Sequence, residues 1–367
     1  MKLKALLKNI FEKFKISGTY SGGKQFGSGH IHRTYLINTA ELDTPDYILQ
    51  KINDHVFPDI DLLMNNISLV INHLNSKKSN TQGFIAPQMV QTHTEKNYYK
   101  DDSGAYWRIL IFIPGLSFDT INDLQIAYEA GKAFGNFIFN LDDLPAHFLK
   151  PVIPGFNSLT KRFADFENAL KNDVVKRSDS VKPELEFIFD WFEPMMNIQS
   201  RESKGDFTIR ITHNDTKINN VLFNESGKAI SVIDLDTVMP GTVLNDFGDA
   251  IRTTAASSAE DEKDLSKISI DLNIFKAFAE GFITKTHKIL NPAEVDHLAL
   301  SSQYITYMQA MRFLTDYLNG DKYYTINYPE HNIVRTRAQI KLAESMKENQ
   351  EAMHEIVKGI MHQISAF

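Results

Sequence analysis

Between Ile211 and Asp236 the chain places His213, Asp215, Lys217, Asn220, Asp234 and Asp236, six side chains able to move protons or hold cations. The stretch reads as loop, strand, turn, strand. Gly227 stands seven residues after Asn220 and seven before Asp234. A hairpin turning near Gly227 therefore brings both to its open end, with Cβ atoms roughly 5 Å apart across the strands. An amide oxygen beside a carboxylate, with Asp215 a few residues upstream, is a hard-oxygen set suited to Mg2+, which completes its shell with water and substrate phosphates. A phosphoryl-transfer site can be built from these parts. Asp and Asn are also common in loops for turn and capping reasons, so no single residue carries the reading. The spacing of the whole string does.

That spacing, His213-x-Asp215-x-Lys217-x-x-Asn220, matches a kinase catalytic loop, in which Asp orients the nucleophile and Asn holds a metal. The string resembles the catalytic loop of the aminoglycoside-phosphotransferase family, relatives of the protein kinases. The resemblance implies that Asp215 is the catalytic carboxylate, that Asn220 and Asp234, with Asp236 beside them, hold Mg2+, and that His213 braces the loop. It puts Lys217 near the transferred phosphate, although many aminoglycoside kinases have another residue there. A literal Asp246-Phe247-Gly248 also occurs, but the metal Asp of these families follows the loop Asn by about a dozen residues, which fits Asp234. Asp246 is expected to be structural, capping a helix that begins near Asp249. Upstream, Gly27, Ser28 and Gly29 precede a strand and resemble the family's glycine-rich nucleotide loop. Lys51 ends the run Tyr47 to Lys51 and is read as the strand lysine that contacts the α- and β-phosphates of ATP, the alternative being an exposed strand lysine. Its usual Glu partner on the next helix is missing, since Met64-Asn65-Asn66-Ile67 stands there. Phe112 and Ile113, before Pro114-Gly115, resemble the hinge whose backbone receives adenine.

A narrower resemblance, to bacterial N-acetylhexosamine 1-kinases, extends over nearly the whole chain. It rests on Thr212 to Asn220, on Ile233 to Gly241 with Asp246 to Arg252, and on Arg312 to Asp321 with Tyr328 to Asn332. It implies ATP-dependent phosphorylation of N-acetylglucosamine or N-acetylgalactosamine at the anomeric hydroxyl. A neutral sugar calls for bidentate polar groups and an aromatic platform, which Arg312, Asp316, Tyr317 and Tyr323 supply. The spacing equally allows Arg312 and Asp316 to be an ordinary i,i+4 ion pair. Rival expectations are another small acceptor, such as an aminoglycoside, choline or a hydroxylated amino acid, and a kinase-fold binding protein without activity. His30 and His32 lack a third ligand and read as loop residues rather than a metal pair.

These groups need a scaffold, and the hydrophobic periodicity supplies one. Residues 1–16 form an amphipathic helix, not a signal peptide. Tyr20 to Asn53 and Thr81 to Ile113 are strand-rich around one helix, Asp59 to Leu74. Past Pro114-Gly115 helical periods dominate, over Asp123 to Leu141, Asn157 to Asn172, Ala293 to Leu318 and Asn332 to Ser365. The expected layout is α+β and bilobal, protein-kinase-like: a sheet-rich nucleotide-binding lobe over 1–113 and a helical lobe over 114–367 with the catalytic loop and acceptor site. A net charge of −7 argues against a nucleic-acid partner. The absence of cysteine excludes disulfides, thiol nucleophiles and Cys-bound metals. No run approaches the roughly 18 apolar residues of a membrane span. A monomeric cytoplasmic enzyme, using ATP and Mg2+ on a small sugar, is the expectation.

Overall fold

The computed structural model describes residues 2–27, 31–77 and 83–365. Its first part is an antiparallel sheet built from β1 (Tyr20–Gln25), β2 (Arg33–Thr39), β3 (Tyr47–Lys51), β4 (Met89–Val90), β5 (Tyr99–Lys100) and β6 (Tyr106–Ile111), in the order β1-β2-β3-β6-β4 with β5 also on β6. Strand alternation gives the sheet two different faces. Tyr35, Ile37, Tyr47, Leu49, Trp107 and Ile109 face α1 (Lys2–Phe11) and bury its Leu7, Ile10 and Phe11. The opposite face carries Thr34, Ile48, Gln50, Arg108 and Leu110 and opens onto a cleft.

The helix expected over Asp59 to Leu74 is α2 (Ile60–Ser76), started by Asp59, whose carboxylate accepts the N–H of Leu62. Its apolar stripe, Leu63, Ile67, Val70 and Leu74, joins the main hydrophobic core of the helical part. In the middle of α2 stands Asn66, fully buried, whose amide donates to the carbonyls of Lys150 and Val238. Where the familiar glutamate pair is missing, α2 is thus tied to the second lobe by amide hydrogen bonds.

The helical part comprises α3 (Leu124–Leu141), α4 (Leu159–Asn172), α5 (Lys182–Ser203), α6 (Val243–Thr254), α7 (Leu272–Thr286), α8 (Pro292–Leu318), α9 (His331–Glu348) and α10 (Gln350–Ser365). The helix expected from Asn332 to Ser365 is two helices, broken at Asn349. Two short ribbons, β7 (Arg210–Thr212) with β10 (Met239–Gly241) and β8 (Val221–Phe223) with β9 (Ala229–Val232), hold the loops that carry the polar string. Gly131 of α3 and Gly281 of α7 let these helices touch: a Cβ at either position would stand 2.0 Å from a carbonyl oxygen of the other helix. The close crossing sets Phe134 and Phe137 of α3 edge-on to the ring of His213, at 5.8 and 5.5 Å between centroids. Core packing therefore reaches the first residue of the polar string. Among the described residues no helix is long and apolar enough to cross a membrane.

Candidate active site

The loop between β7 and β8 is held by hydrogen bonds from every side. His213 is fully buried; its Nε2 donates to the carbonyl of Ile233 (2.9 Å), which leaves Nδ1 to accept the N–H of Asp215 (3.3 Å). The ring, expected to brace the loop, thus bonds both to Ile233 and to the N–H of Asp215. Asp246 lies inside α6, not ahead of it, and its carboxylate accepts the N–H groups of His213 (2.8 Å) and Asn214 (2.7 Å). The expectation that it caps a helix starting near Asp249 is thus corrected: α6 starts at Val243, and Asp246 anchors the loop instead. Burial pushes the Asp246 carboxyl up to about 6. Asp246→Ala should destabilise the fold by about 2–5 kcal/mol, since two buried N–H groups lose their acceptor. Urea unfolding checks this, and a loss below about 1 kcal/mol would show the loop held without Asp246.

The hairpin turns at Gly227, whose φ of +74° suits glycine. A register shift at Leu222/Phe223 sets Val221 opposite Val232, so Asn220 pairs with Ile233 rather than with Asp234. The symmetric pairing expected from the sequence is off by one residue, as one bulged position requires. Asp234 follows in the left-handed region (φ 61°), which turns its carboxylate into the cleft.

Asp215 and Lys217 form an ion pair at 2.8 Å. Burial alone would raise the Asp215 carboxyl, but the Lys217 ammonium, with His213 and Asn220, holds it below the ordinary value. Lys217 is correspondingly raised, chiefly by Asp215. The Asn220 amide nitrogen donates to the Asp215 carbonyl (2.8 Å) and carboxylate (3.2 Å), which leaves its amide oxygen free to face a cation. Asp234 makes no side-chain hydrogen bond among the described residues. Its carboxylate is exposed to the cleft, yet its surroundings push it up to about 7. Desolvation by the walls of the cleft comes first among the causes, then the charges of Asp236 and Asp215, with His32 and Arg108 opposing. A carboxylate without an ion-pair or hydrogen-bond partner among the described residues, beside the Asn220 amide oxygen, is a donor set that Mg2+ fits.

Asp236 does not share that role. Both its oxygens are taken by the Arg108 guanidinium, one at 2.7 Å, and by His32 Nε2. Burial opposes ionisation here, but Arg108 and His32 hold the carboxyl well below its usual range. The expected metal ligand is instead a strut between sheet and loop. His32, read from sequence as a loop residue, is half of this clasp, its Nδ1 accepting the N–H of Asn53 (3.0 Å).

Three cavities border this loop, and two of them reach Asp215 or Asp234. One, of about 330 Å3, lies under the sheet and is lined by Gly27, Ile48, Gln50, Arg108, Phe112, Ile113, Asn220 and Asp234. Gly27 takes φ +75°; Ser28 and Gly29 lie outside the described residues. Phe112 and Ile113, expected to form the hinge, line this cavity. Lys51 does not: strand alternation puts Gln50 on the cavity face, and Lys51 pairs across the sheet with Trp107 of the α1-facing cluster.

The second cavity, of about 220 Å3, is lined by Asp215, Lys217, Phe156, Asn245, Gln309, Arg312, Tyr323 and Tyr324 among others. Arg312 lies 5.0 Å from the Phe156 ring centroid and is braced by Gln309 Oε1 (3.0 Å). Tyr323 is 57% exposed at the cavity mouth. The other two expected contacts are corrected. Asp316 is 5% exposed and accepts the N–H groups of Lys322 (2.9 Å), Tyr323 (2.8 Å) and Tyr324 (3.0 Å). It shapes the loop that presents the tyrosines and makes no ion pair with Arg312; it lines a separate cavity of about 380 Å3, on which Arg312, Tyr323 and Tyr324 also border. Tyr317 lines neither cavity, its ring 4.3 Å from the guanidinium carbon of Arg177. Tyr324, Gln309 and Arg108 are the groups that sequence reading missed. They sit in no motif, and only the fold gathers them.

A family model described as the phosphotransferase enzyme family matches residues 22–267. The chain belongs to that family. Three solved structures share the fold of this phosphotransferase-family chain. An aminoglycoside phosphotransferase from Alicyclobacillus acidocaldarius is 10% identical at a TM-score of 0.62, with 96% of each chain covered. An amicoumacin kinase in complex with AMP-PNP and Ca2+ is 11% identical at 0.62, with 92% of each covered. A microcompartment-associated aminopropanol kinase is 16% identical at 0.62, covering 94% of this chain and 98% of its own. The bilobal α+β architecture expected from the sequence is the architecture of the family.

Proposed function

We propose that this phosphotransferase-family chain transfers the γ-phosphoryl group of ATP to the anomeric hydroxyl of an N-acetylhexosamine, giving the sugar 1-phosphate. The observation that carries the reading is the placement of one loop between two cavities: Asp215 borders the polar-aromatic one, Asn220 and Asp234 the one under the sheet. A nucleotide under the sheet and an acceptor beside Asp215 would then flank the hydrogen-bonded pair Asn220 and Asp215 (3.2 Å). Asp215, ionised and oriented by Lys217 and Asn220, accepts the proton of the attacking hydroxyl. Asn220 and Asp234 would hold Mg2+, which neutralises charge between the β- and γ-phosphates. Lys217 keeps a positive charge beside the line of transfer. Most of the rate gain in such a site comes from positioning and fixed charge rather than covalent chemistry.

The balance of charge in the second cavity supports a neutral acceptor. Its carboxylates already have cations: Asp215 has Lys217, while Asp249 (2.8 Å) and Glu260 (2.6 Å) share Arg252. Arg312 and Arg335 have no carboxylate partner among the described residues. An ammonium group of the kind carried by an amino alcohol would meet surplus positive charge here. An acetamido carbonyl would meet a donor at Arg312, and a sugar ring a platform at Tyr323. The test is ADP release with ATP and Mg2+ across N-acetylglucosamine, N-acetylgalactosamine, glucose, galactose, choline and kanamycin, with phosphorus NMR of the product. A sugar 1-phosphate from an N-acetylhexosamine is the expected result. Turnover confined to choline or kanamycin would overturn the acceptor assignment while leaving the phosphotransferase in place.

A further inference from the structure

The sheet lysine expected to meet the nucleotide phosphates points away from the cleft, and the glutamate that would pair with it is absent from α2. The cavity under the sheet nevertheless contains a fixed cation, Arg108 of β6. Strand register explains where it stands. Thr34 of β2 pairs with Gln50 of β3, and Gln50 with Arg108 of β6, so the three side chains form one polar row across the cavity face. The row is hydrogen-bonded throughout: Gln50 Nε2 donates to Thr34 Oγ1 (3.2 Å), and Arg108 Nε donates to Gln50 Oε1 (2.8 Å). The next row along the same face, Ile48 and Leu110, is apolar and lies on the hinge side, beside Phe112. Two residues of strand separate the rows, about 7 Å. A base seated against Ile48 and Leu110 near the hinge would thus carry its ribose toward the polar row and its first phosphates onto it.

We propose that Arg108 is the cation through which the sheet contacts the α- and β-phosphates of the bound nucleotide, with Asp236 of the second lobe as its fixed acidic partner. A guanidinium has five N–H groups. Nε–H is engaged by Gln50, and one N–H on each terminal nitrogen by Asp236, so two remain for phosphate oxygens. Arginine suits the double duty, because each terminal nitrogen can give one N–H to the carboxylate and still offer its other N–H to a phosphate oxygen. The pairing also differs from a lysine–glutamate bridge confined to one lobe. Asp236 stands two residues after the metal-facing Asp234, so one ion pair fixes both the phosphate cation and the loop that presents Asp234. This inference rests on reading the cavity as the nucleotide site.

The test is calorimetric binding of ADP and of adenosine, without divalent metal, to the full-length protein and to Arg108→Gln and Arg108→Lys. Removing the cation should weaken ADP by roughly 10- to 100-fold, the range for charge-assisted phosphate contacts, while adenosine changes less than about threefold. Arg108→Lys should retain part of the ADP preference. If Arg108→Gln fails to fold, the neutral pair Arg108→Gln with Asp236→Asn carries the same comparison, since both buried charges then leave together. An unchanged ratio of ADP to adenosine affinity in the variant, or an equal loss for both ligands, would make Arg108 a strut only and overturn the proposal. Binding of neither ligand to the unmodified protein would overturn the nucleotide reading itself.

Discussion

Asp215→Asn is expected to lower kcat by roughly 10²- to 10⁴-fold, the contribution of a positioned general base, which corresponds to about 3–5 kcal/mol of transition-state stabilisation. The amide keeps the shape of the carboxylate and can still accept from Asn220, so the loop should survive the change. What is lost is the negative charge, held in the proton-accepting state by Lys217 at 2.8 Å. Nucleotide affinity should move little, because Asp215 borders the polar-aromatic cavity and not the cavity under the sheet. Steady-state kinetics with both substrates varied, beside ADP calorimetry, checks both halves. Activity within tenfold of the unmodified enzyme would remove Asp215 as the base. The carboxyl is held below its ordinary value, so it stays ionised through neutral pH. Any loss of kcat between pH 8 and pH 6 must then come from another group.

How much of this was legible in the chain depends on how local each feature is. His213, Asp215, Lys217 and Asn220 sit within eight residues, where loop geometry is set by neighbours in sequence, and the structure brings them together as their spacing implied. Asp236 was misread because its partners, Arg108 and His32, lie on two strands far upstream. Nothing in Asp-Leu-Asp distinguishes a carboxylate that faces the cleft from one that is neutralised. Asp316 and Tyr317 were misread for a related reason. Sequence shows a carboxylate four residues from an arginine, but not that three backbone N–H groups of the following loop claim that carboxylate first. Lys51 is a different case: three apolar residues in a row, Tyr47-Ile48-Leu49, do not mark which face is covered, and only the packing of α1 on the face of Tyr47 and Leu49 takes Lys51 out of the cleft.

Asp234→Asn should act on function and stability in opposite directions. Asp234 lies beside Asn220 with no ion pair and no side-chain hydrogen bond among the described residues, and desolvation with the charges of Asp236 and Asp215 pushes it up to about 7. A folded-state value above the ordinary one means that the metal-free fold holds this proton more tightly than the unfolded chain does. Stability from this group is therefore full at low pH and is lost as pH rises from about 4 to about 7. Asn carries no such penalty. In EDTA the Tm of the variant should exceed that of the parent by a margin that widens from pH 4 to pH 7 and is level above it. With Mg2+ and ATP the order reverses: loss of the charged donor should raise half-saturating Mg2+ and lower kcat by roughly 10²-fold or more, as removal of fixed charge from a phosphoryl-transfer site does. The same proton competes with the metal in the unmodified protein, so its apparent Mg2+ affinity should fall by roughly tenfold between pH 8 and pH 6. Thermal melts and metal titrations over that range decide the matter. A variant that is less stable in EDTA at pH 8, or a Mg2+ affinity independent of pH, would mean that Asp234 already has a partner and that the metal sits elsewhere.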